Sequence, residues 1–375
     1  MMETTPDTTA SPPAPRPRLL LHIGQPKTGT TALQRALHSA REPLLRTHGI
    51  YYPVLSSRGT HTRLKPHLLN ALDEDARLVH QVGGTRDDAF AASKQAWEAI
   101  CEFNATHQPK LVILSSEALF RDLDEAQIAR LRAILDQAYS DIRIVAYLRD
   151  PVSKFLSAAQ QALKIRPEFG LSAADRMRKA IMSYERLGYP LSLRTFADAR
   201  NHPGGIVSDF AEQFLPSEVG RTLDQVRGDG PFEVNQTLSA EAMYLLQKMA
   251  RKHVAAGGAL DGDRSLTAKR KALKELDQDV PGFEKPTLKP EIISALYQRD
   301  RNLLWLRDER GITFDAVDYE QLEKQPADGA DPMTGIRDVE QICPLNYERV
   351  TILRSAIPWR RLRRRIQKIG KGKFR

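Results

Sequence analysis

The apolar run Leu19-Leu20-Leu21-His22-Ile23 passes without interruption into Gly24-Gln25-Pro26-Lys27-Thr28-Gly29-Thr30-Thr31, and then into a segment that keeps Leu33, Leu37 and Ala40 on one face. A short continuous apolar run closed by glycine is what a strand buried on both faces makes, and the spacing that follows is helical. Strand, glycine-rich loop, helix is the opening of an α/β fold with a parallel sheet, whose ligands gather at the carboxyl ends of the strands.

The pattern recurs. Leu111-Val112-Ile113-Leu114 reads as a second strand ending at Ser115-Ser116-Glu117, and Asp124 then stands as N-cap of a helix that buries Ile128, Leu131, Leu135 and Ala138. Ile142–Leu148 reads as a third strand, ending at Arg149-Asp150-Pro151 ahead of a helix over 152–163. Leu191–Arg194 is a further short strand, 204–210 leads into a helix closing before Pro216, and 239–253 is helical. Segments 51–90 and 257–290 carry no readable code. The latter, charged and broken by Gly and Pro, reads as a surface excursion or lid.

Gly24 and Gly29 are five apart, as in the Walker A pattern, but Thr30 stands where that pattern has lysine, and the lysine lies inside the loop at position 27. The parts of an anion cradle remain: N–H groups freed by glycine, a helix N-terminus, hydroxyls and one cation. Pro26-Lys27-Thr28-Gly29-Thr30-Thr31 behind a strand resembles the 5′-phosphosulfate loop of sulfotransferases that use 3′-phosphoadenosine 5′-phosphosulfate. That family places an arginine at the end of the third strand and a serine eight residues later, as Arg149 and Ser157 stand here. Arg194-Thr195-Phe196, Gly204-Gly205, Asp209-Phe210, Asn235–Ser239, Asn302–Leu306 and Gly311-Ile312 look like its bacterial branch, so the similarity spans roughly 18–320.

The resemblance implies a P-loop-like three-layer α/β fold, a central parallel sheet flanked by helices, and transfer of a sulfuryl group to a hydroxyl or amine, with a sugar or glycolipid as candidate acceptor. It assigns the loop residues Pro26–Thr31 to the donor's sulfonate and 5′-phosphate, with Lys27 at the departing oxygen, and Arg149 and Ser157 to the 3′-phosphate; no metal is required. Two groups compete for the general base. Glu117 closes a strand facing the cleft, and His67 has the better unperturbed pKa. Each also has a bland reading, Glu117 as an orienting group and His67 as a packed helix histidine. His22 and His61 read as structural, and Cys101 and Cys343 stand in no metal or redox spacing.

Charge narrows the partners. The chain has 56 Lys+Arg against 47 Asp+Glu, and nine of those cations, with no acid, lie in 358–375, so the rest balances. A neutral body argues against a specific nucleic-acid surface. Trp359, Leu362, Ile366 and Ile369 share a helical face opposite the arginines, which suits contact with an anionic membrane. The expected organisation is a disordered leader at 1–17, a catalytic domain at 18–320, an extension at 321–357 and the basic tail at 358–375. Without a signal or spanning segment the expected location is cytoplasmic, with the tail at the inner membrane face. The rival functions are a P-loop kinase or NTPase, with Thr30 or Thr31 on magnesium and Asp150 as its Walker B acid, and a non-catalytic anion-binding protein attached through its tail.

Overall fold

The computed structural model describes residues 15–72, 84–163, 166–170, 176–227, 237–260, 263–324, 331 and 333–357. Two compact units are present. Residues up to Leu148 with Met177–Phe232 form one, and Arg149–Arg176 with the described residues of Glu233–Arg375 form the other. Residues 18–320, expected as the catalytic domain, contribute to both units.

The first unit is built on a five-stranded, all-parallel sheet in the order β2-β3-β1-β4-β5: β1 Arg18–His22, β2 Ile50–Tyr51, β3 Leu111–Ser115, β4 Ile142–Leu148 and β5 Leu191–Thr195. Strand β1 is central, so both faces of Leu19–Leu21 are buried and the run needs no alternation. Leu20, Ile113, Val145 and Tyr147 share one core with Leu33 and Leu37 of helix α1 (Thr30–Ser39) and with Val207 and Phe210 of helix Gly205–Phe214. Fully burying a side chain the size of Leu33 or Leu37 contributes about 1.5–3 kcal/mol, which fixes α1, and the loop before it, against the sheet. Helices α2 (Arg86–His107) and α3 (Glu125–Ala138) begin at capping boxes, Thr85 with Asp88 and Asp124 with Gln127; Asp124 is the N-cap its spacing implied.

Arg16 and Pro17, at the end of the segment expected as a leader, are bonded to the first unit. Ser140 donates through its N–H to the Pro17 carbonyl (3.0 Å) and through its hydroxyl to that of Arg16 (2.9 Å), while residues 1–14 lie outside the described residues.

The second unit is helical: α4 (Pro151–Ala162), α5 (Ala240–Ala255), α6 (Arg264–Asp279), α7 (Pro290–Arg299) and a closing helix over 347–357. One expectation is corrected here. The lid read into 257–290 contains α6, whose Leu266, Ala272, Leu273 and Leu276 are buried, Leu273 and Leu276 within the unit's apolar core. The extension at 321–357 is part of that core through Val339, Ile342, Val350, Leu353 and Ile357. Arg349, almost wholly buried, ties them together by bonding Asp277 Oδ1 (3.0 Å), Ser239 Oγ (2.7 Å) and Glu241 Oε2 (3.3 Å). No helix among the described residues is long and apolar enough to cross a membrane.

Candidate active site

Strand β1 delivers the loop at its carboxyl end. The ladder runs one step beyond the strand, Ile23 N–H donating to Val145 O (3.0 Å) and Ser116 N–H to His22 O (2.9 Å), so the loop starts from fixed backbone. Thr28 Oγ1 donates to Gln25 O at 2.6 Å and draws the chain into a closed turn. Lys27 (φ 75°) and Gly29 (φ 76°) both lie in the left-handed region. For glycine this costs little; for lysine it costs about 1–2 kcal/mol and is held by the turn around it. Left-handed residues in a tight turn make the anion-binding concavity that backbone N–H groups line.

Close packing also demands the glycines. A Cβ on Gly29 would come within 2.9 Å of Phe196 Cε2, and one on Gly24 within 2.6 Å of both His22 Nε2 and Thr30 Cγ2. Gly29 is the N-cap of α1 but offers no side-chain cap, and the first turn of α1 contains no acid. The positive end of the helix dipole therefore opens at the loop. Pro26 and Lys27 are half-buried, Thr28 and Thr30 buried, and Thr31 exposed.

Glu117, exposed in the turn after β3, accepts a hydrogen bond from Thr30 Oγ1 through Oε2 at 2.9 Å. Beneath it Ser115 is a hub. Gln34 Nε2 donates to its Oγ (3.2 Å) and its carbonyl (3.3 Å), His22 Nδ1 bonds Oγ (2.8 Å), and its N–H donates to His61 Nδ1 (2.8 Å). His61 Nε2 in turn donates to Pro53 O at 2.8 Å, which fixes its neutral tautomer. Burial pulls both His22 and His61 down to about 4, so both are neutral near pH 7. His22 is completely buried, and its Nε2 has no partner. The structural reading of these two histidines fits, and they form the floor under the loop.

His67 is placed elsewhere in the same unit. It lies in the short helix Lys65–Leu69, its N–H donating to Ser93 Oγ (2.9 Å), its carbonyl accepting from Arg130 Nε (2.8 Å), its ring 6.0 Å from Trp97. Burial, with Arg130 adding to it, lowers its pKa. It lines a cavity of about 540 Å³ with Pro15, Trp97, Glu98, Cys101 and Ile134, whose walls include neither the loop nor Glu117. Proximity thus joins Glu117, and not His67, to the loop.

Arg149 and Ser157 belong to the second unit. Asp150 caps α4, accepting from Ser153 N–H (3.0 Å) and Ser153 Oγ, with Pro151 at the first turn. Arg149 Nε donates to Ser153 Oγ at 2.9 Å, and Ser157 follows Ser153 by four residues, on the same helix face. Arg149, Ser153 and Ser157 are a basic-hydroxyl stripe of the kind a phosphate takes. Ser153 was not singled out in the sequence, although Asp-Pro-x-Ser signals a capped helix start. Capping also occupies the Asp150 carboxylate that the kinase reading would put to use. In the same unit, burial brings Lys154 down to about 8 against the pull of Asp300, whose own carboxyl burial raises to about 6.

Comparison with known proteins adds little to this geometry. No family model matches the chain, and no curated protein matches its sequence. Among solved structures, the chain is similar to the sulfotransferase domain from the Synechococcus PCC 7002 olefin synthase, at 11% sequence identity and a TM-score of 0.31. That match covers 66% of this chain and 97% of that one.

Proposed function

We propose that the protein is a sulfotransferase that moves a sulfuryl group from 3′-phosphoadenosine 5′-phosphosulfate to a hydroxyl or amine, with a sugar or glycolipid as the acceptor class. The observation that carries the reading is the loop itself: a left-handed Lys27 held between Pro26 and Thr28, closed by Gly24 and Gly29 onto the open N-terminus of α1. A bisphosphorylated nucleotide needs an anion cradle at one end, and the loop has the parts of one.

The donor supplies the sulfuryl group; its S–O bond to the 5′-phosphate breaks as the acceptor's bond to sulfur forms. Loop N–H groups hold the sulfonate and 5′-phosphate oxygens, and Lys27 balances the charge that builds on the departing phosphate oxygen. Glu117 takes the acceptor's proton, and Arg149, Ser153 and Ser157 bind the 3′-phosphate. The work is positioning and charge stabilisation more than covalent chemistry.

Two measurements test this. Calorimetric titration is expected to give one site for 3′-phosphoadenosine 5′-phosphate in the absence of magnesium, and none for ATP. Incubation with radiolabelled sulfuryl donor and fractionated cell extract is expected to label acceptors, with Lys27→Ala slowing transfer about 10²-fold and Arg149→Ala weakening nucleotide binding. Labelling that persists undiminished in both variants overturns the site assignment. The basic segment 358–375 lies outside the described residues; as part of the proposal it contacts anionic lipid, and its deletion is expected to abolish binding to phosphatidylserine vesicles while leaving nucleotide affinity intact.

A further inference from the structure

Thr30 is the first residue of α1 and is only 4% exposed, and its hydroxyl proton is committed to Glu117. Because α1 has no acid of its own in the first turn and no side-chain cap, the carboxylate that meets its N-terminus comes from the turn after β3. A second observation lies at the same place: Ser115 Oγ accepts from Gln34 Nε2, and where its own proton goes to His22 Nδ1 the ring proton is left on Nε2 as an unmet donor. His22 Nε2, fully buried and without a partner, lies beside Gly24 at the floor of the loop, where a Cβ on Gly24 would come within 2.6 Å of it and of the Thr30 methyl alike. The ring is kept there at a cost, since an orphaned buried nitrogen destabilises by about 1–3 kcal/mol.

A hydroxyl has one proton and cannot donate it to two acceptors. Two negative groups at one helix N-terminus also repel, by about 1 kcal/mol at 4 Å even in water. We propose that Glu117 and the anionic donor compete for Thr30: the donor takes the Thr30 hydroxyl, and the displaced carboxylate becomes available to the acceptor's proton. Thr30 is then the positioning residue of Glu117, and the exchange orders the reaction, donor before acceptor. This inference rests on the donor reading above and specifies how its base is controlled.

Only hydrogen bonds change hands in the exchange. The Thr30 proton moves from a bond with Glu117 Oε2 to a bond with a donor oxygen, and Glu117 stays ionised until an acceptor reaches it. The Ser115 hub keeps the turn close, so the carboxylate is displaced by a side-chain rotation while its backbone remains tied to β1 through Ser116 N–H and His22 O.

The test is a titration of 3′-phosphoadenosine 5′-phosphate, and separately of inorganic sulfate, into wild type, Glu117→Gln and Glu117→Ala at low salt, with circular dichroism to verify folding. Both variants are expected to bind the bisphosphate roughly three- to tenfold more tightly than wild type, a gain that shrinks as salt is raised. Thr30→Val is expected to weaken binding, and in that background Glu117→Gln is expected to bring a smaller gain, the part owed to charge repulsion alone. Affinity that is unchanged or lower in the Glu117 variants overturns the exchange, as does an equal gain with and without Thr30. If the bisphosphate binds to none of the proteins while sulfate binds more tightly to Glu117→Gln, the nucleotide reading falls and the exchange stands. If neither anion binds to any of them, both fall.

Discussion

Replacing Arg349 by methionine is expected to lower the unfolding free energy of the helical unit by about 3–5 kcal/mol, the usual cost of leaving buried charge without its partner. Arg349 is 2% exposed and faces two buried carboxylates, Asp277 and Glu241. Its Nη1 donates to both and to Ser239 Oγ, its Nη2 to the carbonyls of Asp277 (2.6 Å) and Val280, and its Nε to that of Pro281 (3.2 Å). These bonds fasten the 347–357 helix to the start of α5 and the end of α6. Removing the guanidinium would leave two carboxylates in the interior and free three carbonyls. Lysine should not rescue it, because a single ammonium cannot reproduce the fork. Adding Glu241→Gln to the methionine variant should recover part of the loss by removing one of the orphaned charges. Urea denaturation followed by hydrogen exchange of α5 and α6 measures this, and a loss under about 1 kcal/mol would refute the role given to Arg349.

That network also shows why part of the fold was hidden in the sequence. The β1-loop-α1 unit was legible because its apolar run, its two glycines and its 3.6-residue period agree with one another, and because a loop between a buried strand and a helix leaves the chain few choices. The helix after Asp124 was legible for a similar reason, since cap and period coincide. Helix α6 was not. Its sequence, Arg264-Ser265-Leu266-Thr267-Ala268-Lys269-Arg270-Lys271, looks solvated, and the residue that binds it into the core, Asp277, is a charge whose partner lies 72 residues onward. Strand β2 has only two residues, placed by the Gly49 carbonyl accepting from Lys110 N–H, too short for any alternation to register. At the site, the loop after β1 and the turn after β3 meet through Thr30 and Glu117, two strand ends the sequence already marked. His67 enters by its titration range and by its place between the first helix and the strand at 111–114, and the separation of its cavity from the loop is a tertiary fact with no local signal. The Ser115 hub was equally invisible, because His22, Gln34, His61 and Ser115 come from four separate segments.

The same hub makes the first unit acid-sensitive well before general carboxylate titration. His22 and His61 have ordinary values of 6.5 in the unfolded chain and are held at about 4 in the fold, in each case chiefly by burial. Between those values the unfolded chain binds protons that the native state refuses, so stability rises with pH through this window. The contribution is fully present above about pH 6.5, is lost as pH falls towards 4, and changes no further below that. One histidine shifted this far contributes about 3 kcal/mol, and because the two meet at Ser115 their sum is an upper bound. With both in play, unfolding free energy is expected to fall with a slope of up to about 2.7 kcal/mol per pH unit inside the window. Urea denaturation at about pH 7, 6 and 5 reads the slope before most carboxylates protonate, and His22→Phe is expected to halve it. A stability that stays flat from pH 7 to 5 would refute the shifts. The loop itself is reached only near the folded value of about 4, where protonating His61 at Nδ1 breaks the bond from Ser115 N–H, and Ser115 is what holds the Glu117 turn beside Thr30. Anion affinity of the folded protein should therefore hold between about pH 7 and 5, while stability falls, and decline only towards pH 4, in Glu117→Gln as well, where the carboxylate itself has been removed.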